Sequence, residues 1–146
     1  HSYSSAASDV YKRQPVVTEG NFAYVTVRSG AGRCAGTGNE LQIMDVSDEL
    51  NPVTISTFPM VGPWGLGVRY DRAYVCDGSA GLRVFAVAVP EAIEQVAEVN
   101  SDICFDVIVT DERLISTGAR GVTQYAINPD NAEMEELSLI EITQTP

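Results

Sequence analysis

The side chains that could carry chemistry in this sequence are carboxylates and aromatic rings, because histidine is nearly absent. The only histidine among the 146 residues is His1. Ser-His-Asp triads, Cys-His pairs and imidazole zinc sites therefore lack their central residue. Two aspartates, Asp77 and Asp106, could still act as an acid and base pair, as in hydrolases that use two carboxylates. Trp64 and Phe105 could instead offer aromatic faces on which a sugar or a peptide stacks.

Two stretches are similar to ligand-binding motifs, but each lacks a required glycine. Gly30-Ala31-Gly32 supplies two glycines of a dinucleotide fingerprint, but the third position is Ala35 and a strand, not a helix, is predicted to follow. The acidic run from Asp45 to Glu49 has the alternate spacing of a calcium loop without the glycine that bends it. We therefore predict neither a cofactor nor a metal.

The segment from His1 to Gln14 resembles a translated sequencing-adapter peptide, and we exclude it from the fold prediction. The rest of the chain has seven arginines, no lysine and 19 acidic residues. Such a negative field repels phosphate backbones and anionic bilayers. No apolar run approaches the roughly 18 residues that a membrane helix needs. We expect no nucleic-acid partner and no direct membrane insertion.

Self-comparison of the sequence indicates three copies of one pattern. Gly81 to Val87 matches Glu40 to Val46 at an offset of 41 and Gly121 to Ile127 at an offset of 40. A second segment, Asp71 to Val75, matches the third copy at an offset of 40 and the first at an offset of 50. The first copy therefore carries nine extra residues, which must lie in an inserted loop from Arg28 to Asn39.

Each copy is predicted to form four short strands. Those of the second copy are Gly65 to Tyr70, Ala73 to Cys76, Leu82 to Val87 and Glu94 to Val99. Four strands at a period near 40 are typical of a β-propeller blade. We therefore predict an all-β partial β-propeller of about three four-stranded antiparallel blades, a fragment of a larger ring. The alternative is a self-contained three-layer or sandwich β domain, which the shared register disfavours.

The repeat boundaries follow from the same alignment. We assign residues 15–59, with the inserted loop 28–39, to blade 1, residues 60–99 to blade 2 and residues 100–146 to blade 3. An offset of 40 gives Cys104 the position of Trp64, and Asp106 that of Leu66. Only Pro129 to Glu136 indicates a turn of helix, between the last two strands of blade 3.

Two strings, Ala73 to Phe85 and Leu41 to Val53, resemble the LVIVD repeat, whose unit is roughly AYVADGxxGLRVIDVSDPxxPxxV. The resemblance covers residues 20–127 and is weak in the third copy, which has no equivalent of Asp77. It implies a β-propeller of secreted or surface-attached bacterial proteins, frequently lipoproteins. We therefore expect an extracellular or outer-surface location, with a lipid anchor on a missing N-terminus as one form of attachment.

If the first strand of each blade is innermost, the inserted loop and the turn between the second and third strands share one rim. Cys34 on the loop and Cys76 before that turn would then be close, so we expect a disulfide between them in an oxidising compartment. Cys104 would remain a buried thiol. Within the turn, Gly78 and Gly81 are expected to have positive φ angles. The Asp77 carboxylate is expected to accept backbone N–H bonds across the same turn.

The same rim collects the candidate ligand contacts, which are aromatic, acidic and basic side chains. They are Trp64, Asp77, Phe105, Asp106, Arg33 and Arg120. Long loops on a rigid scaffold are where binding usually resides. The alternatives are that the inserted loop has no binding role and that Trp64 only fills the core. We predict a non-enzymatic extracellular binding module for protein or glycan, its ring completed by further blades of the polypeptide. A hydrolase or lyase that uses carboxylates at the channel mouth is the second hypothesis.

Overall fold

The computed structural model of the protein describes residues 15–29, 38–100 and 102–142. Its regular secondary structure is entirely β, and no helix that could span a membrane occurs in these ranges. The strands are β1 (Val16–Glu19), β2 (Phe22–Val27), β3 (Glu40–Asp45), β4 (Val53–Pro59), β5 (Leu66–Arg69), β6 (Arg72–Cys76), β7 (Leu82–Ala86), β8 (Glu94–Val99), β9 (Cys104–Val109), β10 (Arg113–Gly118), β11 (Gly121–Asn128) and β12 (Asn131–Glu141).

The strands form three four-stranded antiparallel sheets, each built from consecutive strands. Sheet 1 contains β1 to β4, sheet 2 contains β5 to β8 and sheet 3 contains β9 to β12. This confirms the all-β prediction and the four strands expected in the second repeat. The sheets described do not close into a ring.

The helical turn predicted at the end of the third repeat is wrong. Pro129 and Asp130 form a tight turn between the paired residues Asn128 and Asn131, where β12 begins. The side chain of Asn128 closes this turn by accepting the N–H of Asp130 at 2.8 Å. The residues that follow alternate between half-buried and exposed, which is the period of a strand and not of a helix.

Sheet 2 lies between sheets 1 and 3 and buries both of its faces. In β6, Ala73 and Val75 point toward sheet 1, whereas Tyr74 and Cys76 point toward sheet 3, because successive side chains of a strand alternate. The core between sheets 1 and 2 contains Tyr24, Leu41, Ile43, Met60, Leu66, Ala73, Val75, Phe85 and Val87. The core between sheets 2 and 3 contains Tyr74, Cys76, Leu82, Val84, Cys104, Val107, Leu114, Tyr125 and Ile127.

The first strands of the three sheets are neighbours, so the sheets fan out from a common side. β5 contacts both β1 and β9. Gly67 permits the close approach of β9, because a Cβ atom there would lie 2.6 Å from Cγ2 of Val109. Gly65 also donates its N–H to the carbonyl of Phe105 at 3.0 Å, which ties β9 to the segment before β5.

One end of the sheets carries both the connections between sheets and the turns between the second and third strands. We call this end the upper rim; it comprises residues 60–65, 77–81, 102–103 and 118–121. Gly78 accepts the N–H of Cys104 at 3.1 Å, and Ile103 accepts that of Ala119 at 3.1 Å. The base of the inserted loop joins them, because the Asn39 amide donates to the carbonyl of Val61 at 2.9 Å.

The third repeat aligns with the second at an offset of 41, not 40, over its first two strands. The turn of sheet 2 has five residues between the paired Cys76 and Leu82, whereas that of sheet 3 has four between Thr117 and Val122. Leu66 and Ala73 face sheet 1, and Val107 and Leu114 face sheet 2 in the same way. Since a shift of one residue reverses the face of a side chain, this difference changes every equivalence before the turn.

The equivalences predicted from an offset of 40 are therefore wrong. Leu66 pairs with Val75 as Val107 pairs with Ser116, so Trp64, two residues before Leu66, corresponds to Phe105, two residues before Val107, and not to Cys104. Asp106 corresponds to Gly65, and Leu66 corresponds to Val107. The missing turn residue in the third repeat is also why that repeat has no counterpart of Asp77.

Candidate functional site

An aromatic pair stands on the upper rim where sheets 2 and 3 begin. The rings of Trp64 and Phe105 meet edge to face, with centroids 5.9 Å apart and planes at 82°. Both side chains stay substantially exposed, at 40% and 41%. Large apolar side chains at this exposure, on equivalent positions of two consecutive repeats, form a surface that is available for binding.

Arg28 completes this group and was not among the ligand contacts predicted from the sequence. Its guanidinium carbon lies 3.6 Å from the centre of the Trp64 ring, which is close enough for a cation–π interaction. Burial lowers the pKa of Arg28 from its ordinary value. The only signal in the sequence was its position, because Arg28 directly follows β2 and is the first residue of the inserted loop. Arg28 belongs to the first repeat and Trp64 to the second, so their contact leaves no local pattern along the sequence.

Backbone contacts hold the aromatic pair in place. Trp64 donates its N–H to the carbonyl of Cys76 at 2.7 Å, and its own carbonyl accepts the hydroxyl of Thr26 at 2.7 Å. Trp64 is therefore fixed to sheet 1 and to sheet 2 at once. Phe105 is fixed through its carbonyl, which accepts the N–H of Gly65. The backbone segments that carry the two rings are thus hydrogen-bonded to each other, and the Trp64 segment is also bonded to sheets 1 and 2.

The predicted disulfide between Cys34 and Cys76 is wrong in its partner, because Cys76 is bonded to Cys104. Their Cα atoms are 4.8 Å apart, within the range that a disulfide spans. The isolated β-bridge between Gly78 and Cys104 places the start of β9 beside the end of β6. The predicted offset of 40 did not indicate that these two segments are neighbours. Cys104 is therefore not the free thiol that we expected, and Cys34 lies outside the described residues.

Asp77 is enclosed and does not contribute to the surface. Its side chain has no exposed area, and its oxygens accept the N–H groups of Val61 and Gly62 at distances from 2.8 to 3.1 Å. Arg83 donates to the same carboxylate at 2.7 Å. The Asp77 carboxylate thus joins its turn to the connection from sheet 1. Across the turn, Asp77 accepts a backbone N–H only through its main-chain carbonyl, from Ala80 at 2.9 Å. Asp77 is removed from the candidate ligand contacts because its oxygens already have protein partners.

The turn that follows Asp77 has the predicted glycine geometry. Gly78 and Gly81 have φ angles of +54° and +79°, in the left-handed region that glycine adopts at no steric cost. The N–H of Asp77 donates to the carbonyl of Gly81 at 2.8 Å and closes the turn.

The other candidates are distributed along the rim. Asp106 is exposed and accepts the N–H of Val107 at 2.8 Å. With Asp77 enclosed, the two carboxylates of the enzyme hypothesis are not a pair that faces a substrate. Arg120 lies in the turn of sheet 3, where its N–H donates to Asp102 at 2.8 Å. Arg33 lies outside the described residues.

Two exposed aliphatic side chains lie on the same upper rim as the aromatic pair. Val61 and Ile103 lie in the connections that precede β5 and β9, and they are 56% and 43% exposed. We call the group Arg28, Val61, Trp64, Ile103 and Phe105 the rim patch. It is apolar with one cation, and it contains no nucleophile.

The acidic turn after β3 has a structural explanation. Asp45 accepts the N–H and hydroxyl of Ser47, and Asp48 accepts the N–H of Leu50 and the amide of Asn51. These hydrogen bonds lower the pKa of both carboxyls. Among the described residues, no group of three or more His, Cys, Asp or Glu is arranged to hold a metal ion.

Comparison of the chain with models of known protein families finds no match, and no curated protein is significantly similar to it. The geometry of the rim patch is therefore the basis for the functional argument.

Proposed function

We propose that the chain is a non-enzymatic binding module whose rim patch contacts a protein partner. The observation that carries this proposal is the exposed stack of Arg28, Trp64 and Phe105 on a rigid rim. Tryptophan and arginine are enriched among the residues that dominate binding energy at protein interfaces. A rigid backbone lowers the entropic cost of binding, because the rings need not be ordered when the partner arrives.

The composition of the patch favours a protein over a glycan. A sugar site needs several polar groups placed around an aromatic face. Here the neighbours Val61 and Ile103 are aliphatic, the carboxylate of Asp77 is directed inward, and the exposed carboxylate next to Phe105 is that of Asp106. A protein surface with apolar side chains and a carboxylate opposite Arg28 would complement the patch.

We also propose that the three sheets are consecutive blades of a β-propeller. The adjacent first strands and the repeated face-to-face packing support this proposal. The outer face of sheet 3 carries Ile108 and Ile140, each 62% exposed, where sheet 2 buries both of its faces. Further blades of the same polypeptide would cover such a face. The likeness of the strings in the first two repeats to the LVIVD repeat is consistent with this arrangement.

The disulfide between Cys76 and Cys104 supports an extracellular or outer-surface location. Structural disulfides persist in oxidising compartments and are rare in a reducing cytosol. This bond joins two consecutive sheets, so an oxidising environment would strengthen the frame that holds the rim patch.

The proposal can be tested by selection from a random peptide phage library, with a glycan array probed in parallel. We expect to select peptides that bind the Phe105→Ala variant at least about tenfold more weakly than the unaltered chain, because the variant lacks one aromatic anchor. Val89→Ala is the control, because Val89 is 59% exposed and lies outside the rim patch. Glycans that bind in a Phe105-dependent manner, without such peptides, would show that the partner class is wrong. Ligands that bind Phe105→Ala as well as the unaltered chain would overturn the rim proposal.

A further inference from the structure

Sheets 1 and 3 each leave one broad face uncovered in the described structure, whereas sheet 2 buries both of its faces. We call these the outer face of sheet 1 and the outer face of sheet 3. On the outer face of sheet 3, Ile108 pairs with Ile115, and Val122 pairs with Ile140. Ile108 and Ile140 are each 62% exposed. Apolar side chains grouped in this way typically mark a surface that another molecule covers.

The outer face of sheet 3 corresponds to the faces that the other two sheets bury against their next neighbour. Val122 pairs with Ile140 as Leu82 pairs with Val99 in sheet 2. Leu82 is buried in the core between sheets 2 and 3. Leu41, at the same position of sheet 1, is buried in the core between sheets 1 and 2. Sheet 3 therefore presents the face that a further sheet of the same kind would cover.

The outer face of sheet 1 is the opposite face of the repeat, the one that packs on a preceding sheet. Val16 pairs with Val25 as Leu66 pairs with Val75 in sheet 2. Leu66 and Val75 are buried against sheet 1, whereas Val16 is 59% exposed. Strand pairing places four apolar side chains on this face, namely Val16, Ala23, Val25 and Met44. Sheet 1 thus has the apolar surface of a covered sheet without a preceding sheet in the described structure.

The two outer faces are therefore complementary in the way that adjacent sheets of the chain are. Each of the two cores between sheets joins a face equivalent to the outer face of sheet 3 with a face equivalent to the outer face of sheet 1. Within one chain sheet 2 lies between them, so the two outer faces do not meet. A second copy of the chain carries both faces, and it is the complementary surface that the structure itself describes.

The number of sheets favours an assembly of two copies. Two chains contain six four-stranded sheets, and closed β-propellers typically contain about four to eight. Three chains would exceed that range. We propose, on the basis of the proposed blade arrangement, that two copies associate head to tail, so that the outer face of sheet 3 in each copy covers the outer face of sheet 1 in the other. The second copy then supplies the sheets that further blades of a longer polypeptide would supply.

Sedimentation velocity of the full chain at a series of concentrations tests this proposal. We expect a reversible equilibrium between monomer and dimer, without larger assemblies. Added salt should not weaken the association, because the contacts are apolar and each copy has a net charge of −11. A chain that stays monomeric at about 100 μM would overturn the proposal, since this excludes a Kd below roughly that value. Larger head-to-tail assemblies would overturn it as well, because two copies would then not close.

Charged substitutions on the two outer faces test which surfaces associate. Ile108→Glu on sheet 3 and Val16→Glu on sheet 1 alter side chains that are exposed in the single chain, so both variants should fold. Each should weaken dimerisation at least about tenfold, because association would bury a carboxylate without a partner. The control is Val89→Glu, which adds the same charge at a 59% exposed site between β7 and β8 and should change dimerisation less than about threefold. Ile140→Glu serves if urea unfolding shows that Ile108→Glu is not folded.

A mixture of the two variants tests the head-to-tail arrangement. In a dimer of either variant alone, both contacts contain one altered face. A mixed dimer retains one unaltered contact, between sheet 3 of the Val16→Glu chain and sheet 1 of the Ile108→Glu chain. The mixture should therefore dimerise at least about threefold more tightly than either variant alone. A dimer that joins like faces would be weakened by only one of the two substitutions, and this result would overturn the proposal.

Two further measurements separate this proposal from the earlier ones. Phe105→Ala should dimerise as the unaltered chain does, because this ring contacts Trp64 on the upper rim and lies outside both outer faces. Loss of binding at the rim patch and loss of self-association are therefore independent results. A monomeric chain that still contains the cross-link between Cys76 and Cys104 would reject the second copy and leave the packing of sheets 2 and 3 intact.

Discussion

Arg83 and Asp77 form an ion pair in the interior, with Nη1 of Arg83 2.7 Å from Oδ2 of Asp77. The two side chains are 13% and 0% exposed, so the interaction is screened little by solvent. Asp77 also holds Val61 and Gly62, which belong to the connection that ends at Trp64. One carboxylate therefore joins β7, its preceding turn and the segment that positions the rim patch.

Asp77→Ala should destabilise the chain by about 3–5 kcal/mol, because it leaves Arg83 buried without its counter-ion. The N–H groups of Val61 and Gly62 would lose their acceptor as well. Urea unfolding of the two proteins measures the difference. Asp111→Ala is the matched control, since Asp111 pairs with Arg69 at an exposed site and its loss should cost about 0–1 kcal/mol. Equal effects of the two substitutions would contradict the structural role of Asp77.

The sequence was sufficient to predict the sheets but not their exact alignment. Alternating apolar residues and turn residues such as Gly78 and Gly81 predict four strands in each repeat. The turn of sheet 3 is one residue shorter than that of sheet 2, so an offset of 40 fits the strands after the turn and misplaces those before it. An offset of 40 aligns buried Ala73 with Arg113, whereas an offset of 41 aligns it with Leu114. Burial shows which is correct, because Leu114 is fully buried and Arg113 is exposed.

The candidate site was predicted only in part for the same reason. Trp64 and Phe105 were singled out by type, but their equivalence and contact depended on the offset of 41. Arg28 was missed because it follows a strand of sheet 1 and contacts Trp64 at the start of sheet 2, and no local sequence pattern encodes that contact. The pairing of Cys76 with Cys104 was missed because an offset of 40 gave Cys104 the repeat position of Trp64.

Removal of the disulfide by Cys76→Ala combined with Cys104→Ala should destabilise the chain by about 3–4 kcal/mol. The bond closes a loop with a sequence separation of 28, and the entropy that it removes from the unfolded chain sets this magnitude. Thermal or urea unfolding of the oxidised protein and the double variant measures it. Peptide mapping without reductant should recover one cross-linked pair that contains Cys76 and Cys104. A cross-link that contains Cys34 would contradict the connectivity.

Arg28→Ala should expose Trp64 and cost about 0.5–1 kcal/mol of stability, the value of a cation–π contact at a partly exposed site. Trp64 is the only tryptophan, so intrinsic fluorescence reports this ring alone. We expect a red-shifted emission and stronger quenching by acrylamide. Arg28→Lys should restore little, because an ammonium cannot stack as a planar guanidinium does. An emission spectrum unchanged in Arg28→Ala would show that the guanidinium does not cover the ring in solution.

Stability should decline in alkali, because burial raises the pKa of Tyr24 and Tyr125 above the ordinary value. The nearby carboxylates Glu19 and Asp71 raise the pKa of Tyr24 further, and Glu136 acts in the same direction on Tyr125. The folded state then holds these protons more tightly than the unfolded chain does. The stabilisation is therefore complete below the unfolded tyrosine pKa of about 10 and is lost as the pH rises through the folded values.

The urea midpoint should accordingly be flat from about pH 8 to 9 and should fall above about pH 10. Tyr24→Phe keeps the ring in the core between sheets 1 and 2 but removes the ionisable hydroxyl. This variant should lose stability less steeply with pH than the unaltered chain, and tyrosinate absorbance should show one fewer late-titrating group. Identical alkaline slopes for the two proteins would mean that Tyr24 ionises as freely in the folded state as in the unfolded one.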